Sequence, residues 1–210
     1  ARPRRWRRAF AWAPPVPTPA AGDVLIKVHS AGINRADLLQ RNGLYPPPQD
    51  ASPILGLEVA GTVVAAGVNA GGWHVGDRVC ALTHGGGYAE YAVAPVGQCM
   101  PIPTGFSKGE AAALPEALLT IWHNLFQRAG LQAGEKVLIH GGASGIGTMG
   151  VLMCSTLGAE VYTTAGSDEK CRALEARCAT RAINYKTEDF EHVLTGLGLN
   201  NRINVILDMI

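Results

Sequence analysis

The pattern of hydrophobic and polar positions changes once along the chain, near Lys108. Between Asp23 and about Pro103 the apolar residues occur in short runs, and residues 24–29 alternate with a period of two, as in a β-strand. Further short strands, separated by glycine-rich turns, are predicted at Val59–Ala66, Arg78–Leu82 and Tyr88–Val93. Strands of this length and spacing favour a barrel-like β domain.

After Lys108 the pattern predicts a long helix, Glu110–Ala129, and then strands that alternate with helices. The predicted strands are Lys136–His140, Glu160–Thr164, Ala182–Tyr185 and Asn204–Ile210, and the predicted helices are Gly145–Leu157, Asp168–Cys178 and Glu188–Leu197. This alternation indicates right-handed βαβ units on a parallel sheet. Because the chain ends directly after an apolar strand, we expect this domain to be incomplete.

A glycine-rich loop follows the first strand of the second half. It contains the spacing G-x-G-x-x-G at Gly145, Gly147 and Gly150, after a predicted strand and at the start of a predicted helix. Glycines at these positions permit a tight turn and let the backbone approach a pyrophosphate, which the helix N-terminus stabilises. The spacing alone is weak evidence, but the strand before it and the helix after it are the context that dinucleotide binding requires.

The end of the second strand indicates which dinucleotide is preferred. An NAD site usually has an acid there, about twenty residues beyond the glycines, that binds the ribose 2′-hydroxyl. This chain has small residues at 164–167 and Lys170 one turn into the next helix. Asp168 is close, but an acid at this position is also typical of a helix N-terminus. We therefore predict a 2′-phosphate and hence NADPH.

Composition excludes several classes of protein. The chain has 210 residues, 47% of them hydrophobic and 17% charged, so it can bury a core. A net charge of +1 produces no field that would attract nucleic acid or a membrane. No uninterrupted apolar run reaches the roughly 18 residues that a membrane span needs. The five cysteines include no CxxC pair, which favours reduced thiols and a cytoplasmic protein.

Residues 1–22 differ from the rest of the chain. Five arginines fall within the first eight residues, and a proline-rich stretch follows at residues 14–19. Such a segment has too little apolar surface to fold, so we expect it to be disordered or atypical. A mitochondrial targeting segment is the alternative, because arginine without acids is one of its features.

Six segments resemble a known family: Ala31–Asp37, Gly43–Pro46, Leu55–Gly61, Val75–Val79, Gly86–Tyr91 and Ile183–Tyr185. They are similar to the zinc-free quinone oxidoreductase branch of the medium-chain dehydrogenase/reductase superfamily, and most of all to its p53-inducible quinone oxidoreductases. The resemblance implies an α/β fold, with a GroES-like β-barrel-type catalytic domain over residues 23–110. A partial Rossmann domain, a doubly wound parallel sheet that binds NADP, would follow over residues 111–210.

The resemblance also implies that the site works without metal. Zinc alcohol dehydrogenases of the superfamily place a cysteine ligand where this chain has Ile33 and Asn34, and a histidine where it has Leu57. The four-cysteine lobe that binds structural zinc is also absent from the sequence. Tetrahedral zinc needs several cysteine, histidine or carboxylate ligands, so we expect a metal-free catalyst.

Ten residues match functional positions of the family. Asn34 and Tyr45 would line the cleft near the nicotinamide and the substrate, and Thr120 would touch the cofactor. The pyrophosphate loop would comprise Gly142, Gly145, Ile146 and Gly147, and the adenosine end with its 2′-phosphate would be held by Ser167, Lys170 and Tyr185.

Simpler explanations exist for several of these residues. Asn34 could cap a helix that begins at Arg35, because asparagine is favoured at that position. Tyr45 could pack a turn, Tyr185 could be a half-buried core residue, and Lys170 could be an ordinary solvated lysine.

The sequence therefore predicts an NADPH-dependent reductase that transfers hydride to a small quinone, and that forms a homodimer in the full-length family. A competing hypothesis is reduction of the C=C bond of an enone or alkenal. A hypothesis from another class is a shortened, non-catalytic isoform that binds cofactor or RNA. The basic run near the N-terminus is the only segment that favours RNA, so we expect nucleic acid not to be a partner.

Overall fold

The computed structural model describes residues 15–209, and the chain divides into two compact units between Pro115 and Glu116. The arginine-rich run, and with it the prediction of a disordered or targeting segment, falls mainly on residues 1–14, which lie outside the described residues. Within the part of the chain that the structure describes, no helix is long and apolar enough to cross a membrane.

The N-terminal unit contains a five-stranded antiparallel sheet in the order β4-β1-β2-β3-β5. The strands are β1 (Asp23–Ala31), β2 (Glu58–Ala66), β3 (Arg78–Leu82), β4 (Tyr91–Pro95) and β5 (Cys99–Pro101). Two register shifts interrupt the pairing of β1 with β2, and such irregularities bend a strand and increase its twist. The curled sheet encloses a core that includes Val24, Ile26, Val59 and Val79, all of them fully buried.

Two short helices belong to this unit. Helix α1 (Arg35–Arg41) follows β1, and helix α2 (Lys108–Ala111) comes after β5. Ala111 and the following Ala112 pack against Ala60 and Cys80, on the face of the sheet opposite the main core.

The C-terminal unit contains a four-stranded parallel sheet in the order β8-β7-β6-β9. The strands are β6 (Lys136–Ile139), β7 (Glu160–Ala165), β8 (Arg181–Asn184) and β9 (Val205–Leu207), and the helices are α3 (Pro115–Ile121), α4 (Gly145–Thr156), α5 (Asp168–Glu175) and α6 (Phe190–Gly196). The strand order reverses at β6, which lies between β7 and β9. Open α/β sheets bind their ligands at such a switch point, beyond the carboxyl ends of the strands.

The α/β fold class predicted from the sequence is confirmed: a GroES-like half-barrel and a parallel sheet of Rossmann type. The prediction of one helix over Glu110–Ala129 is wrong. Helix α2 ends at Ala111, and α3 begins at Pro115, which cannot donate a backbone hydrogen bond and is favoured at the first position of a helix. Helix α3 continues as a π-helix over Trp122–Arg128.

The predicted strand Tyr88–Val93 is also shifted, because Tyr88 lies in a turn and its backbone N–H donates to the Leu55 carbonyl. The last predicted strand is shorter than expected, since only Val205–Leu207 pair with β6, and Ile210 lies outside the described residues. The remaining predicted strands and helices of the second half agree with the structure, although several ends differ by one to three residues.

Candidate dinucleotide site and polar cluster

The glycine loop is anchored to the end of the neighbouring strand β7. The backbone N–H of Gly142 donates to the Thr164 carbonyl at 2.9 Å, and that of Gly141 to the Thr164 hydroxyl at 3.2 Å. The same hydroxyl lies 3.2 Å from His140 Nδ1, and the His140 ring packs edge-on against Phe190. Thr164 thus fixes the position of the chain as it leaves β6. His140 packs between Thr164 and Phe190.

Three glycines of this segment are required by packing within the protein. A Cβ atom on Gly142 would overlap the Thr163 hydroxyl, and one on Gly147 would lie 2.6 Å from the Gly142 Cα. A Cβ on Gly150 would lie 3.0 Å from the terminal methyl groups of Ile121 and Ile139. Glycine at these positions lets helix α4 approach the loop and the strand closely.

Gly145 is different, because nothing in the chain lies within 4 Å of a Cβ atom placed on it. Gly145 is exposed, and its φ angle is not positive. Neither backbone strain nor internal packing therefore requires glycine here. The space beside Gly145 is open, as a bound group that approaches the backbone closely would need.

The N-terminus of α4 presents backbone donors to the same space. Ser144 caps this twelve-residue helix, and its hydroxyl accepts a hydrogen bond from the Gly147 N–H at 3.0 Å. The N–H groups of Gly145 and Ile146 have no intrahelical acceptor, and they donate to no other group among residues 15–209. Free amides and the helix dipole together favour an anion at this position.

The structure brings Ser167, Lys170 and Tyr185 together at the carboxyl ends of β7 and β8. The Ser167 hydroxyl caps α5 and accepts from the Lys170 N–H at 3.3 Å. A Cβ atom on Gly166 would lie 2.6 Å from the Tyr185 hydroxyl, so the phenol ring rests against this turn. The Lys170 side chain is exposed and forms no ion pair with the described residues, and Tyr185 is 53% exposed.

Asn184 also lies at this edge, within the segment Ile183–Tyr185 that resembles the family, and the sequence does not predict a role for it. It is 6% exposed, and its side-chain Nδ2 donates to Asp168 Oδ1 at 2.6 Å. The signal that could have identified it is a polar side chain at the end of an otherwise apolar strand, residues 182–184.

Thr120 lies in α3, next to the residue that packs this helix against α4. Its neighbour Ile121 is fully buried and faces Gly150, while the Thr120 carbonyl accepts a hydrogen bond from Asn124 Nδ2 at 2.9 Å. No hydrogen bond connects Thr120 to the glycine loop. Its role in cofactor contact stays a prediction.

In the N-terminal unit Asn34 belongs to a cluster of polar side chains, the Asn34 cluster, which comprises Asn34, Asp37, Glu58 and Tyr88. Asn34 precedes α1, and its backbone N–H donates to Asp37 Oδ2 at 2.9 Å. Its side-chain Nδ2 donates to Glu58 Oε1 at 2.8 Å, across 24 positions of the sequence. Asn34 is therefore the N-cap residue of α1, and its amide is also oriented by a buried carboxylate.

Asp37 is the centre of this cluster and is 2% exposed. Its carboxylate accepts hydrogen bonds from the Gly56 N–H at 3.1 Å and the Tyr88 hydroxyl at 2.8 Å, besides that of Asn34. Burial of the phenol, followed by its hydrogen bond to Asp37, raises the pKa of Tyr88 far above its usual value. The phenol therefore stays protonated and donates to Asp37 throughout the physiological range.

Tyr45 is not joined to the Asn34 cluster by any hydrogen bond. It lies in the turn after α1, is 48% exposed, and bonds to no group within the described part of the chain. Its role near a substrate stays a prediction.

No group of three or more histidine, cysteine, aspartate or glutamate residues that could hold a metal occurs among residues 15–209. The five cysteines are free, and Cys80, Cys154 and Cys171 are buried. Burial raises the pKa of the Cys154 thiol to about 12, so this thiol is protonated at neutral pH.

Comparisons with known proteins agree with this architecture. Residues 20–104 match the alcohol dehydrogenase GroES-like domain. The chain is 32% identical to the quinone oxidoreductase of Rattus norvegicus over 197 residues, which are 93% of this chain and 60% of that protein. The chain covers smaller fractions of several other curated relatives.

Two solved structures are similar over most of the chain. The CurK enoyl reductase matches with a TM-score of 0.79 and 32% identity, over 92% of this chain and 60% of that one. The Escherichia coli quinone oxidoreductase in complex with NADPH matches with a TM-score of 0.77 and 28% identity, over 94% and 60% of the two chains.

A GroES-like half-barrel followed by a parallel sheet with a glycine loop at its switch point defines a class of two-domain, dehydrogenase-like proteins. The N-terminal unit belongs to the alcohol dehydrogenase GroES-like domain family, and the proteins to which the whole chain is similar include quinone oxidoreductases.

Proposed function

We propose that this chain is an NADPH-dependent reductase that transfers hydride to a quinone without zinc. A catalytic domain over residues 23–110 and an NADP-binding domain over residues 111–210 are part of this proposal. So are a cytoplasmic location and a homodimer in the full-length protein. The observation that carries the proposal is the open space at Gly145 beside two backbone amides that have no partner within residues 15–209.

The groups around Gly145 fit a dinucleotide. The backbone amides of Gly145 and Ile146 would hold the pyrophosphate. Gly142 and Gly147 allow the loop and helix α4 to pack closely against each other. Thr120 is proposed as a further cofactor contact. A bound nicotinamide dinucleotide would supply the hydride.

The edge formed by Ser167, Lys170 and Tyr185 supports the preference for a 2′-phosphate. Lys170 has no acidic partner among the described residues, so its charge is available to an anion. Tyr185 presents a half-exposed phenol, and a hydroxyl can donate to a phosphate oxygen. The NADPH complex of the similar Escherichia coli enzyme gives further support.

A quinone is the hydride acceptor that needs the least activation by the protein. It accepts hydride readily, so the site must mainly orient it and provide hydrogen-bond donors as negative charge develops on its oxygen. Asn34 and Tyr45 are the proposed residues for this task, and Glu58 holds the Asn34 amide in one orientation. The hydroquinone oxygen then takes its proton from solvent.

A second substrate class is favoured by the similarity to the CurK enoyl reductase. Reduction of the C=C bond of an enone needs the same hydride donor, and an oxyanion also develops on the substrate carbonyl. The site residues named above would serve either reaction, so the substrate has to be measured.

The test is NADPH oxidation by the purified chain with 1,2-naphthoquinone, alongside an alkenal and with NADH in parallel. We expect turnover of the quinone with NADPH preferred, and Lys170→Ala should raise the KM for NADPH roughly tenfold while that for NADH changes little. Faster turnover of the alkenal would favour the second substrate class. A folded chain that binds neither dinucleotide would refute the cofactor assignment, and binding without turnover would refute the reductase activity of this chain.

A further inference from the structure

Asn184 holds the side chain of Asp168 in one place. Asn184 Oδ1 accepts a hydrogen bond from the Lys186 N–H at 3.2 Å, and this bond fixes which end of the amide is the acceptor. The other end, Nδ2, therefore faces Asp168 Oδ1 at 2.6 Å. Because Asn184 is buried, its amide is a rigid support for an exposed carboxylate.

Asp168 occupies a position that matters for a cofactor. It is the first residue of α5, directly after Ser167, at the carboxyl end of β7. A carboxylate that is free to turn there could accept a hydrogen bond from a ribose 2′-hydroxyl, as acids near this position do in NAD sites. The same carboxylate would repel a 2′-phosphate.

The hydrogen bond to Asn184 directs Asp168 away from the candidate phosphate-binding edge. Asn184 is the last residue of β8, and Tyr185 begins the turn that follows, where its N–H donates to the Ala165 carbonyl. Asn184 is buried, whereas Tyr185 is half exposed and rests on Gly166. The partner of Asp168 is thus a buried side chain, while the Tyr185 phenol is available at the surface.

We propose that Asn184 is a specificity-determining positioning residue, which keeps the Asp168 carboxylate away from the ribose 2′ position so that Lys170 and Tyr185 can bind a phosphate there. This inference rests on the proposed function, because it concerns the adenosine end of the same site. It explains how a chain with an acid at this position can still prefer NADPH.

The test compares two probes that differ only in the 2′-phosphate, adenosine 2′,5′-bisphosphate and adenosine 5′-monophosphate, by calorimetric titration of the full chain. We expect the wild-type chain to bind the bisphosphate more tightly. Asn184→Ala should weaken the bisphosphate roughly tenfold, because a released carboxylate repels it at short range, and should leave the monophosphate unchanged or slightly stronger.

The decisive variant combines Asn184→Ala with Asp168→Asn. If Asn184 acts through Asp168, removing the carboxylate charge restores the preference for the bisphosphate, which a merely structural defect would not allow. Asp168→Asn alone should change the ratio of the two dissociation constants less than threefold, since the carboxylate is already held away from the 2′ position.

A second variant keeps the test independent of the buried position. Asp168→Glu changes an exposed residue and lengthens the side chain, so that its carboxylate no longer fits the fixed Asn184 amide. The ratio of the monophosphate dissociation constant to that of the bisphosphate should therefore fall roughly threefold. An unchanged ratio in Asp168→Glu and in Asn184→Ala, or a reduced ratio that Asp168→Asn does not restore, would overturn the role of Asn184 while the NADPH assignment stands. A folded wild-type chain that binds neither probe would instead overturn the proposed function and this inference with it.

Discussion

The glycine loop of the C-terminal unit and the Asn34 cluster of the N-terminal unit differ in where their hydrogen bonds go. In the Asn34 cluster each named donor has a partner inside the unit: the Asn34 amide bonds to Glu58, and the Gly56 N–H and the Tyr88 hydroxyl bond to Asp37. In the glycine loop the amides of Gly145 and Ile146 have no partner among the described residues. The Asn34 cluster is held together by hydrogen bonds within its own unit, with the second N–H of the Asn34 side-chain amide left for the proposed substrate contact. The glycine loop leaves backbone donors for a ligand.

The same contrast appears in the glycines. A Cβ atom on Gly32 would overlap the Glu58 carboxylate, and one on Gly56 would lie 2.6 Å from the Tyr88 nitrogen, so the N-terminal unit itself requires these glycines. Gly145 has no such neighbour. At Gly145 this open space lies beside two backbone amides that have no partner among the described residues, and the combination is the physical basis on which we assign the dinucleotide to the loop.

The largest effect is expected at Gly145. Gly145→Val should abolish NADPH binding, a loss of more than about 100-fold, because the side chain would fill the space into which the pyrophosphate must come. The fold should survive, since nothing in the chain lies within 4 Å of a new Cβ atom. Fluorescence titration with NADPH, combined with thermal unfolding, measures both quantities.

Gly147→Val is the matched control for this experiment. Its Cβ would lie 2.6 Å from the Gly142 Cα, so we expect a lower unfolding temperature in addition to lost binding. Unchanged NADPH affinity in a folded Gly145→Val chain would contradict the loop assignment. Equal loss of stability in the two variants would show that Gly145, too, is required by packing.

The Asn34 cluster should respond in stability. Asp37→Ala leaves the backbone N–H groups of Asn34 and Gly56 and the Tyr88 hydroxyl without their acceptor in a buried place. Each unsatisfied donor costs about 1–3 kcal/mol. We expect the free energy of unfolding to fall by about 3 kcal/mol, measured by urea denaturation. Asp37→Asn, which keeps one acceptor oxygen, should lose less, and a neutral result for Asp37→Ala would contradict the central role of this carboxylate.

The smallest effect is expected from metal removal. If the catalyst is metal-free, EDTA or 1,10-phenanthroline should leave the rate of NADPH oxidation unchanged. A loss of activity that added zinc reverses would show that the Asn34 cluster, or residues outside those described, binds metal.

The parts of the site that the sequence predicts are those built by neighbours in the chain. The glycine loop depends on residues 141–150, which lie between one strand and one helix, so local spacing identifies it. The contacts of Asn34 with Glu58 and of Asn184 with Asp168 join residues 24 and 16 positions apart, and their existence depends on how strands pair. No local pattern could predict them.

The errors in predicted structure have two different origins, one local and one tertiary. Apolar periodicity continues across Pro115, so the pattern alone predicted one helix where the missing N–H of proline separates two. Tyr88 has the composition of a strand residue, but its bonds to Asp37 and Leu55 hold it in a turn before β4. A tertiary contact outweighed local propensity in this second case.

The sequence by itself determined the order of the two folds, the glycine loop and its place between strand and helix, because periodicity and backbone freedom are properties of neighbouring residues. Only the tertiary structure decided which glycine is required by packing and which is open, and which way Asn34 and Asp168 are held. Those features depend on the approach of distant segments, where a partner within about 3 Å stabilises one orientation of a side chain over the others.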